Sequence, residues 1–442
     1  MIPPQDDTRL LAGKRLLVLG ATGLIGSAAA RAALRHGAVV TGLTRNPRRA
    51  ASAETGISWV EGDLHRLVTP EAWKPVLTGM DMVANASGIL QDAPGEDLDT
   101  VHHLAMVSLF EACRDAGIPL AHVSAAGVER GATRFARTKK LADDRLQALD
   151  FPWTILRPGM VLGPTAYGGS AMARAIACFP FFLPVAFGSS PVQTVSVDDI
   201  AEAVVLSLSG KVPARKVYDL VESVPMPFLD LLLAIRRKAG VPGTLVLAIP
   251  SWLAAPMFRA GDLVSLLGWR PPMRSTAMAE LAAGVTGDPL PWKEATGRDL
   301  RTAEETLSGF LPSVQERWFA RMWLLKPAVL ATLAAFWAVS GLVGLLRLDE
   351  AASVLSSRGM PEGLAVAAVV AGSLADLAIG VGIAIRRHAA RALAASVAVS
   401  LAYVAGAAML APDLWADPLG PMVKVFPAIV LSLVGLAVLE DR

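Results

Sequence analysis

The sequence predicts an α/β domain with a doubly wound parallel sheet, followed by an all-α bundle of four transmembrane helices. Up to about residue 300, short apolar runs alternate with charged, helix-forming segments, as such a sheet requires. After about residue 323 the chain becomes strongly apolar. Hydrophobic residues make up 53% of the 442 residues and charged residues only 18%, which is too apolar for an ordinary soluble protein.

Charge and cysteine content narrow the function classes. The formal net charge of +2 is near balance, so we expect no nucleic-acid partner. Cys113 and Cys178 lie far apart and match no disulfide framework or metal motif, which suits a reducing compartment. No HExxH or similar spacing occurs, so we expect no metal. The N-terminal stretch has acidic residues and no long apolar run, unlike a signal peptide.

Four apolar segments predict the membrane helices: 328–346, 364–385, 393–411 and 421–439. Each approaches the roughly 20 residues that a helix needs to cross a bilayer. Lys and Arg cluster in the loop between the second and third segments and before the first, whereas the loop 412–420 has only acidic charges. By the positive-inside rule, both termini are expected in the cytoplasm, at the inner membrane.

Asp376 lies midway along the second of these segments. A charge at this depth is costly and usually faces a partner or a cavity. Two interpretations stay open: a ligand or proton site, or a carboxyl group paired within the bundle. The first would allow a transporter function.

The most informative stretch is a glycine-rich turn between a strand and a helix. The apolar run 15–19 precedes Gly20-Ala21-Thr22-Gly23-Leu24-Ile25-Gly26, an Ala-rich helix follows, and residues 39–43 form a second strand. This order and length are typical of a dinucleotide-binding unit, in which the glycines let the backbone approach a pyrophosphate at the helix N-terminus. We therefore predict an NAD(P)-binding Rossmann fold.

The end of the second strand indicates the cofactor type. An acidic residue there would bind the ribose 2′-hydroxyl of NAD, but this chain has Arg45 and Arg48. Arginine binds a 2′-phosphate well, so NADP(H) is favoured over NAD(H). Later strands also end in residues suited to line a cleft, among them Asp63, Ser124 and the stretch 157–159. In such sheets ligands bind at the carboxyl ends of the strands.

Several motifs carry a family resemblance. The stretches GATGLIG, GDL, HVSAAG, RPGMVLGP and TVSVDDIAEAV make residues 13–240 similar to the atypical, NmrA-like branch of the short-chain dehydrogenase/reductase superfamily, and to the NADPH-holding accessory subunit of respiratory complex I. From about residue 315, the four-span pattern with ERWFARMWLLKP, ADLAIG and DPLGPMVKVFPAIVLSLVGLAVLE resembles a DoxX-like membrane domain. Proteins that join these parts are typically bacterial.

The resemblance implies a set of cofactor contacts. They are Gly20, Ala21, Thr22, Gly23, Leu24, Ile25, Gly26, Arg45, Asp63, Leu64, Ala86, Ser87, Gly88, Lys139, Pro158, Gly159 and Met160.

It also implies a catalytic Ser, Tyr and Lys, in which the Tyr donates a proton while the nicotinamide donates hydride. Ser124 and Lys139 match two of them, but the Tyr position is Phe135, which has no proton to give. Tyr167 is a possible substitute near a strand end. His122 precedes Ser124, and alternation along the strand is expected to direct it to the other face.

Two apolar stretches, 179–188 and 245–269, are broken by Pro and charge. They are expected to form ordinary core of a C-terminal lobe, an apolar substrate lobe, or a surface on the bilayer. The last possibility would suit a lipid-like substrate such as a quinone or isoprenoid.

The predicted organisation is a tail (1–12), a Rossmann domain (13–240), its apolar lobe (241–284), a linker with a juxtamembrane helix (285–322) and a DoxX-like bundle (323–442). The function expected is a membrane-anchored NAD(P)H-dependent oxidoreductase that acts on a small or lipid-like substrate. The alternative is a non-catalytic NADPH-binding sensor or scaffold in a membrane complex. Substrate, proton donor and oligomeric state are not specified by the sequence.

Overall fold

The computed structural model describes residues 9–131, 133–243, 245–309, 314–418 and 420–439. Most of the predicted tail and residues 310–313 of the predicted linker lie outside the described residues. The described chain forms two compact units. Unit 1 runs to Asp262 and resumes from Pro271 to Val314, and unit 2 combines Leu263–Arg270 with the chain from Gln315 onwards.

The strands all lie in unit 1. They are β1 (Arg15–Leu19), β2 (Val39–Thr44), β3 (Ser58–Glu61), β4 (Met82–Asn85), β5 (Leu120–Val123), β6 (Trp153–Pro158), β7 (Met160–Leu162), β8 (Leu183–Val185), β9 (Pro191–Val192), β10 (Thr194–Ser196), β11 (Lys216–Leu220), β12 (Met226–Pro227) and β13 (Val246–Ala248).

The helices occupy both units. They are α1 (Leu24–Arg35), α2 (Pro47–Ala53), α3 (Pro70–Leu77), α4 (Ala105–Ala116), α5 (Arg134–Gln147), α6 (Gly168–Ala177), α7 (Val197–Leu208), α8 (Phe228–Lys238), α9 (Ser251–Leu266), α10 (Ser275–Ala283), α11 (Leu290–Thr296), α12 (Ala303–Ser308), α13 (Val314–Leu346), α14 (Leu348–Ser356), α15 (Glu362–Ala384), α16 (Arg386–Leu410) and α17 (Val425–Ala437). A π-helical turn covers Thr100–Leu104, and 3₁₀ turns cover Val128–Arg130 and Pro412–Trp415.

The main sheet is parallel and has the order β11-β6-β5-β4-β1-β2-β3. Alternation along β1 serves both faces of this sheet. Leu16 and Val18 pack with the alanines of α1 and with α7, whereas Leu17 and Leu19 pack with Trp73 of α3 and with α4. The predicted doubly wound sheet is thus confirmed. Its strand order reverses between β1 and β4, where ligands bind in such folds.

The part of unit 2 that the structure describes contains helices and no strand. Within the described residues, α13, α15 and α16 are long and apolar enough to cross a membrane, and α17 is a shorter apolar helix. Small residues bring α13 and α15 together: a Cβ on Gly341 would lie 2.4 Å from the Ser373 carbonyl oxygen, and one on Gly380 would lie 2.6 Å from the Ala338 nitrogen. Such close backbone approach is typical of helices packed in a bilayer.

Candidate cofactor and active site

The glycine-rich turn joins β1 to α1 at the switch point of the sheet. Gly20 has φ of 71°, and a Cβ there would lie 2.6 Å from the Ala86 carbonyl oxygen at the end of β4. A Cβ on Gly26 would lie 2.1 Å from the Gly20 carbonyl oxygen. No side chain caps the N-terminus of α1, so its first N–H groups remain available to an anion. The residues present therefore fit a bound pyrophosphate.

Two charged residues predicted as cofactor contacts, Arg45 and Asp63, follow β2 and β3. One guanidinium nitrogen of Arg45 lies 3.0 Å from a carboxylate oxygen of Glu96, so Arg45 already has an acidic partner. Asp63 accepts a hydrogen bond from the His65 backbone N–H at 3.1 Å. Burial would raise the pKa of Asp63, but the hydrogen bonds from His65 outweigh it and lower that pKa.

Residues 86–88 follow β4 and lie beside Lys139 in the candidate site. Ser87 donates hydrogen bonds from its backbone N–H and its hydroxyl to the Asn85 side-chain oxygen, at 3.0 and 2.5 Å. A Cβ on Gly88 would lie 3.4 Å from both the Lys139 Nζ and the His102 Nε2. Gly88 thus brings the backbone close to two nitrogens.

Lys139 projects from α5 to the carboxyl ends of β4 and β5. Its Nζ donates to the Val123 carbonyl oxygen at 3.1 Å and to the Ser87 carbonyl oxygen at 3.4 Å. The side chain is buried, and burial lowers the pKa of Lys139 to about 8, while the charge of Asp143 opposes that shift. Lys139 therefore lies beside the turn predicted to hold the cofactor.

Ser124 faces a buried carboxylate. Its hydroxyl donates to Asp143 Oδ2 at 2.9 Å, and the same oxygen accepts from Arg157 Nε at 2.8 Å. Asp143 lies four residues after Lys139 on α5 and is completely buried. Because its proton is directed to Asp143, the Ser124 hydroxyl offers only its lone pairs to another group in this arrangement.

His122 belongs to the same polar network, although alternation was expected to separate it from Ser124. Its Nδ1 lies 2.8 Å from the Asn85 Nδ2, and its Nε2 lies 3.5 Å from Asp143 Oδ1. The expectation was wrong, because residues two apart along a strand point to the same face, and both side chains therefore reach Asp143. Burial lowers the pKa of His122. Burial alone would raise the pKa of Asp143, but His122, Arg157 and Ser124 lower it.

Phe135 occupies the predicted tyrosine position and packs edge-on against His102, with ring centroids 5.5 Å apart. His102 lies in the π-helical turn before α4, and its Nε2 accepts from the Ile89 backbone N–H at 3.0 Å. Its Nδ1 lies 3.1 Å from the Thr138 hydroxyl oxygen. These bonds assign the proton to Nδ1, and burial holds the pKa of His102 well below its usual value.

Sequence reasoning missed His102, Asp143 and the pairing of Arg157. Asp143 shares the stretch KKLADDRL with surface charges, and no motif distinguishes it from its neighbour Asp144. His102 also lies in no motif. These residues differ from the charged residues on exposed helix surfaces in being buried, which only the three-dimensional structure reveals.

The last predicted contacts lie around β6 and β7. A Cβ on Gly159 would lie 2.4 Å from the Gln193 carbonyl oxygen. The close approach of that backbone is therefore enough to explain why residue 159 is glycine. Tyr167 immediately precedes α6, where its backbone exchanges hydrogen bonds with Ser170. The roles of Pro158, Met160 and Tyr167 stay predictions.

Comparison with known families identifies both parts of the chain. Residues 20–209 match the model of an NAD(P)H-binding family, and residues 334–433 match that of the DoxX-like family. The chain joins an NAD(P)H-binding domain to a DoxX-like domain. The predicted NAD(P)-binding and DoxX-like parts are thereby confirmed, and the DoxX-like domain with its long apolar helices supports membrane association.

Two curated relatives each match less than half of the chain. A ceramide reductase of Caulobacter vibrioides is 27% identical over 190 residues, which are 42% of this chain and 59% of the relative. An uncharacterized chloroplast protein of Arabidopsis thaliana is 30% identical over 118 residues, which are 26% of this chain and 38% of the relative. The chain therefore spans less than two thirds of the length of either relative.

Solved structures share the fold of the NAD(P)H-binding domain. An NADPH-dependent quinone oxidoreductase from Escherichia coli, complexed with NADPH, has a TM-score of 0.51 at 18% identity and covers 66% of this chain and 98% of its own. A dTDP-glucose 4,6-dehydratase from Bacillus anthracis, complexed with NAD, has a TM-score of 0.52 at 14% identity, with 70% and 98% covered. An epimerase from Methanothermobacter thermautotrophicus has a TM-score of 0.52 at 18% identity, with 72% and 96% covered. At these identities the likeness concerns the fold alone.

Proposed function

We propose that this chain is a membrane-anchored NAD(P)H-dependent oxidoreductase that reduces an apolar or membrane-associated acceptor without the usual tyrosine acid. The observation that carries the proposal is the position of the Lys139 ammonium group at the carboxyl ends of β4 and β5, beside Gly88. It lies at the edge of the sheet that also bears the glycine-rich turn. A bound NAD(P)H supplies the hydride.

The residues of this chain bind and orient the cofactor. The N–H groups at the start of α1 hold the pyrophosphate, and Lys139 exchanges its carbonyl partners Ser87 and Val123 for the nicotinamide ribose. Residues 86–88 and 158–160 border the nicotinamide in this proposal. Burial of Lys139 excludes water from that end of the site.

The proton comes from elsewhere than the usual tyrosine. Phe135 has none to give, and the Ser124 hydroxyl donates its proton to Asp143. Water, Tyr167 or the acceptor itself supplies the proton after hydride transfer. An acceptor such as a quinone needs no tyrosine acid, because the hydroquinone anion formed by hydride transfer takes its one remaining proton from water.

Two features favour a lipid-like acceptor. The DoxX-like domain ties the protein to a membrane, where such molecules dissolve. The Caulobacter relative, 27% identical over 190 residues, is named for the reduction of a lipid, ceramide. We infer an acceptor with a carbonyl or quinone group on an apolar body.

We propose NADP(H) as the preferred cofactor, held at its 2′-phosphate by Arg45. Glu96 is the competing partner, since its carboxylate lies 3.0 Å from the Arg45 guanidinium. A phosphate with nearly two negative charges attracts Arg45 more strongly than one carboxylate does. Binding of NADP(H) therefore includes the displacement of Glu96.

We infer four spans with both termini in the cytoplasm. Arg386, Arg387 and Arg391 follow α15, which supports a cytoplasmic end there by the positive-inside rule. Apolar residues flank α17 on both sides, which supports a fourth span over the predicted residues 421–439.

Asp376 joins three helices of unit 2. Its Oδ1 accepts from the Tyr403 hydroxyl of α16 and its Oδ2 from the Ser340 hydroxyl of α13, both at 2.8 Å. Both carboxylate oxygens thus have donors, which favours a carboxyl group paired within the bundle over a transport site. We propose a structural role for Asp376.

The main test measures turnover by the full chain in lipid nanodiscs. NADPH oxidation is followed by the absorption of the reduced nicotinamide, with a soluble quinone, a lipid-chain quinone or a long-chain ketone as acceptor. We expect saturable oxidation that depends on one of these acceptors. The proposal would be contradicted if NADPH bound tightly but none of the quinone or carbonyl acceptors supported its oxidation.

A non-catalytic NADPH-holding module is the second candidate, supported by the Ser124–Asp143 bond and by Phe135. Phe135→Tyr separates the two, because it restores a hydroxyl four residues before Lys139. General acid catalysis contributes roughly 10²–10⁴-fold. A new carbonyl-reductase activity in this variant alone would indicate a site that kept its geometry and lost its acid. Quinone reduction unchanged by the substitution favours the first candidate.

A further inference from the structure

Helix α10 of unit 1 is neither packed into a core nor fully exposed. We define the α10 strap as residues 273–287, which contain α10 and the turn that follows it. Residues 275–281 make almost two turns of the helix, and each of them is half-buried. A helix that packs on a core has one buried side and one exposed side. Partial exposure all around α10 therefore indicates open space beneath the helix as well as solvent above it.

The C-terminal end of the strap is fixed by backbone hydrogen bonds. The Val285 N–H donates to the Pro191 carbonyl oxygen at 3.0 Å, and the Val285 carbonyl oxygen accepts from the Gln193 N–H at 2.8 Å. The Gln193 carbonyl oxygen accepts from the Met160 N–H at 2.9 Å, just after the end of β6. This end of the strap is therefore joined to the segment proposed to border the nicotinamide.

Two side-chain contacts hold the rest of the strap. Arg274 Nη1 donates to the Asp92 carbonyl oxygen at 2.9 Å, and the Thr133 hydroxyl donates to a carboxylate oxygen of Glu280. Asp92 lies in the connection that follows β4, and Thr133 in the connection that follows β5. Connections that leave parallel strands begin at the carboxyl edge of the sheet. The strap thus crosses this edge over β4, β5 and β6, where the Lys139 ammonium group lies.

The Glu280 contact reaches the helix that bears Phe135 and Lys139. Thr133 is the N-cap of α5, and its hydroxyl oxygen accepts from the Ala136 N–H at 3.1 Å. The same hydroxyl donates to Glu280, which is the one charged residue in the sequence of α10. A single hydroxyl group therefore joins the strap to the first turn of α5.

We propose that the α10 strap is a lid over the nicotinamide half of the cofactor site. It opens when the Glu280 and Arg274 contacts break, while the backbone bonds of Val285 keep its C-terminal end in place. Gly284, with φ of 81°, follows α10, so the helix can turn about this end as one piece. The closed lid excludes water from the nicotinamide.

This inference rests on the proposed position of the nicotinamide and not on turnover. It is therefore tested by cofactor binding, and a failure to find an acceptor would contradict the proposed function while leaving the lid intact.

The test measures how fast NADPH enters and leaves the full-length protein. Stopped-flow nicotinamide fluorescence gives the association rate, and displacement of bound NADPH by excess NADP⁺ gives the dissociation rate. Glu280→Met removes the acceptor at similar side-chain size, whereas Glu280→Gln keeps an oxygen that can accept from Thr133. Asp299→Leu is the matched control, because Asp299 also accepts from a hydroxyl, that of Ser223 at 2.7 Å, but lies outside the strap.

We expect Glu280→Met to raise both rates by about tenfold, since a hydrogen bond to a charged group shifts an opening equilibrium by about that factor. The dissociation constant should stay within about twofold, because a lid that closes equally over the empty and the occupied site changes only the rates. Glu280→Gln and Asp299→Leu should bind and release NADPH at the rates of the unaltered protein.

Two results would overturn the proposal. The first is unchanged rates in both Glu280→Met and Arg274→Met, which releases the second contact. The second is a weaker dissociation constant with an unchanged association rate, which would show that Glu280 acts through the shape of α5 and not through a lid. Arg274→Met carries the test alone if Glu280→Met fails to fold, as judged by circular dichroism.

Discussion

The glycine-rich turn and the α5 side of the cleft are built in different ways. At the turn, the proposed ligand contacts are backbone N–H groups, and glycines let the backbone segments pack closely: added Cβ atoms at Gly20 and Gly26 would lie within 2.6 Å of carbonyl oxygens. At α5, the predicted catalytic groups are side chains, and they already have hydrogen-bond partners within the protein. Ser124, Arg157 and His122 converge on Asp143, and Lys139 bonds to two carbonyl oxygens.

This difference shows which function, cofactor binding or catalysis, the observed hydrogen bonds support better. The turn needs only a ligand to complete its hydrogen bonds, whereas the α5 side must exchange existing bonds before its groups touch a ligand. A cofactor site is therefore more firmly indicated than an active site. Perturbing each side separately measures how independent they are.

The largest effect is expected at the turn. In Gly26→Ala, the new Cβ would lie 2.1 Å from the Gly20 carbonyl oxygen, so the turn must move. We expect NADPH affinity to fall by about 100-fold, equivalent to about 3 kcal/mol. Isothermal titration measures it. Gly169→Ala is the control, because nothing lies within 4 Å of its Cβ. Equal affinity in both variants would exclude the turn as the pyrophosphate site.

The polar network is expected to govern stability more than binding. Asp143→Asn removes the buried charge between Arg157, His122 and Ser124, and we expect a loss of about 2 kcal/mol in the free energy of unfolding. Thermal unfolding of the purified protein measures it. The adjacent Asp144→Asn breaks only an exposed ion pair with Lys140, so its effect should stay below about 0.5 kcal/mol. A tenfold loss of NADPH affinity in a stable Asp143→Asn protein would show the two sides to be coupled.

Lys139 connects the two sides and should make cofactor binding depend on pH. Its pKa in the free protein is about 8, and an anionic cofactor favours the ammonium form and raises that pKa. Affinity for NADPH is therefore greatest below pH 8 and falls as the pH rises through 8. Lys139→Met should lose about tenfold in affinity at pH 7 and the pH dependence with it. Lys140→Met is the exposed control, and an unchanged pH profile in Lys139→Met would refute the assignment.

The smallest expected effect concerns cofactor preference. Arg45→Met should lower the ratio of NADPH to NADH affinity by about fivefold, and Glu96→Gln should raise it by removing the competing carboxylate. Ratios of dissociation constants check both. Arg31→Met, whose guanidinium pairs with Glu54, should leave the ratio unchanged. Changes of the same sign in the Arg45 and Glu96 variants would mean that their pairing does not control the preference.

The sequence by itself determined the cofactor fold, because its signals are local. The turn GATGLIG needs glycine where its backbone approaches other backbone atoms closely, and this steric reason holds wherever the motif occurs. Alternation along the strands placed one hydrophobic core on each face of the sheet. The spacing of Phe135 and Lys139 likewise follows from one turn of helix. The apolar segments predicted the membrane helices from length and composition alone.

Only the tertiary structure decided which hydrogen-bond partners the polar groups at α5 have. Whether Ser124 donates to a substrate or to a carboxylate depends on Asp143, which is 19 residues away and looks in sequence like its solvated neighbour Asp144. The same holds for His102, whose ring lies against Phe135 only through packing. Hydrogen-bond partners are set by distance in space, and a sequence pattern carries no information about which of two adjacent charges the fold will bury.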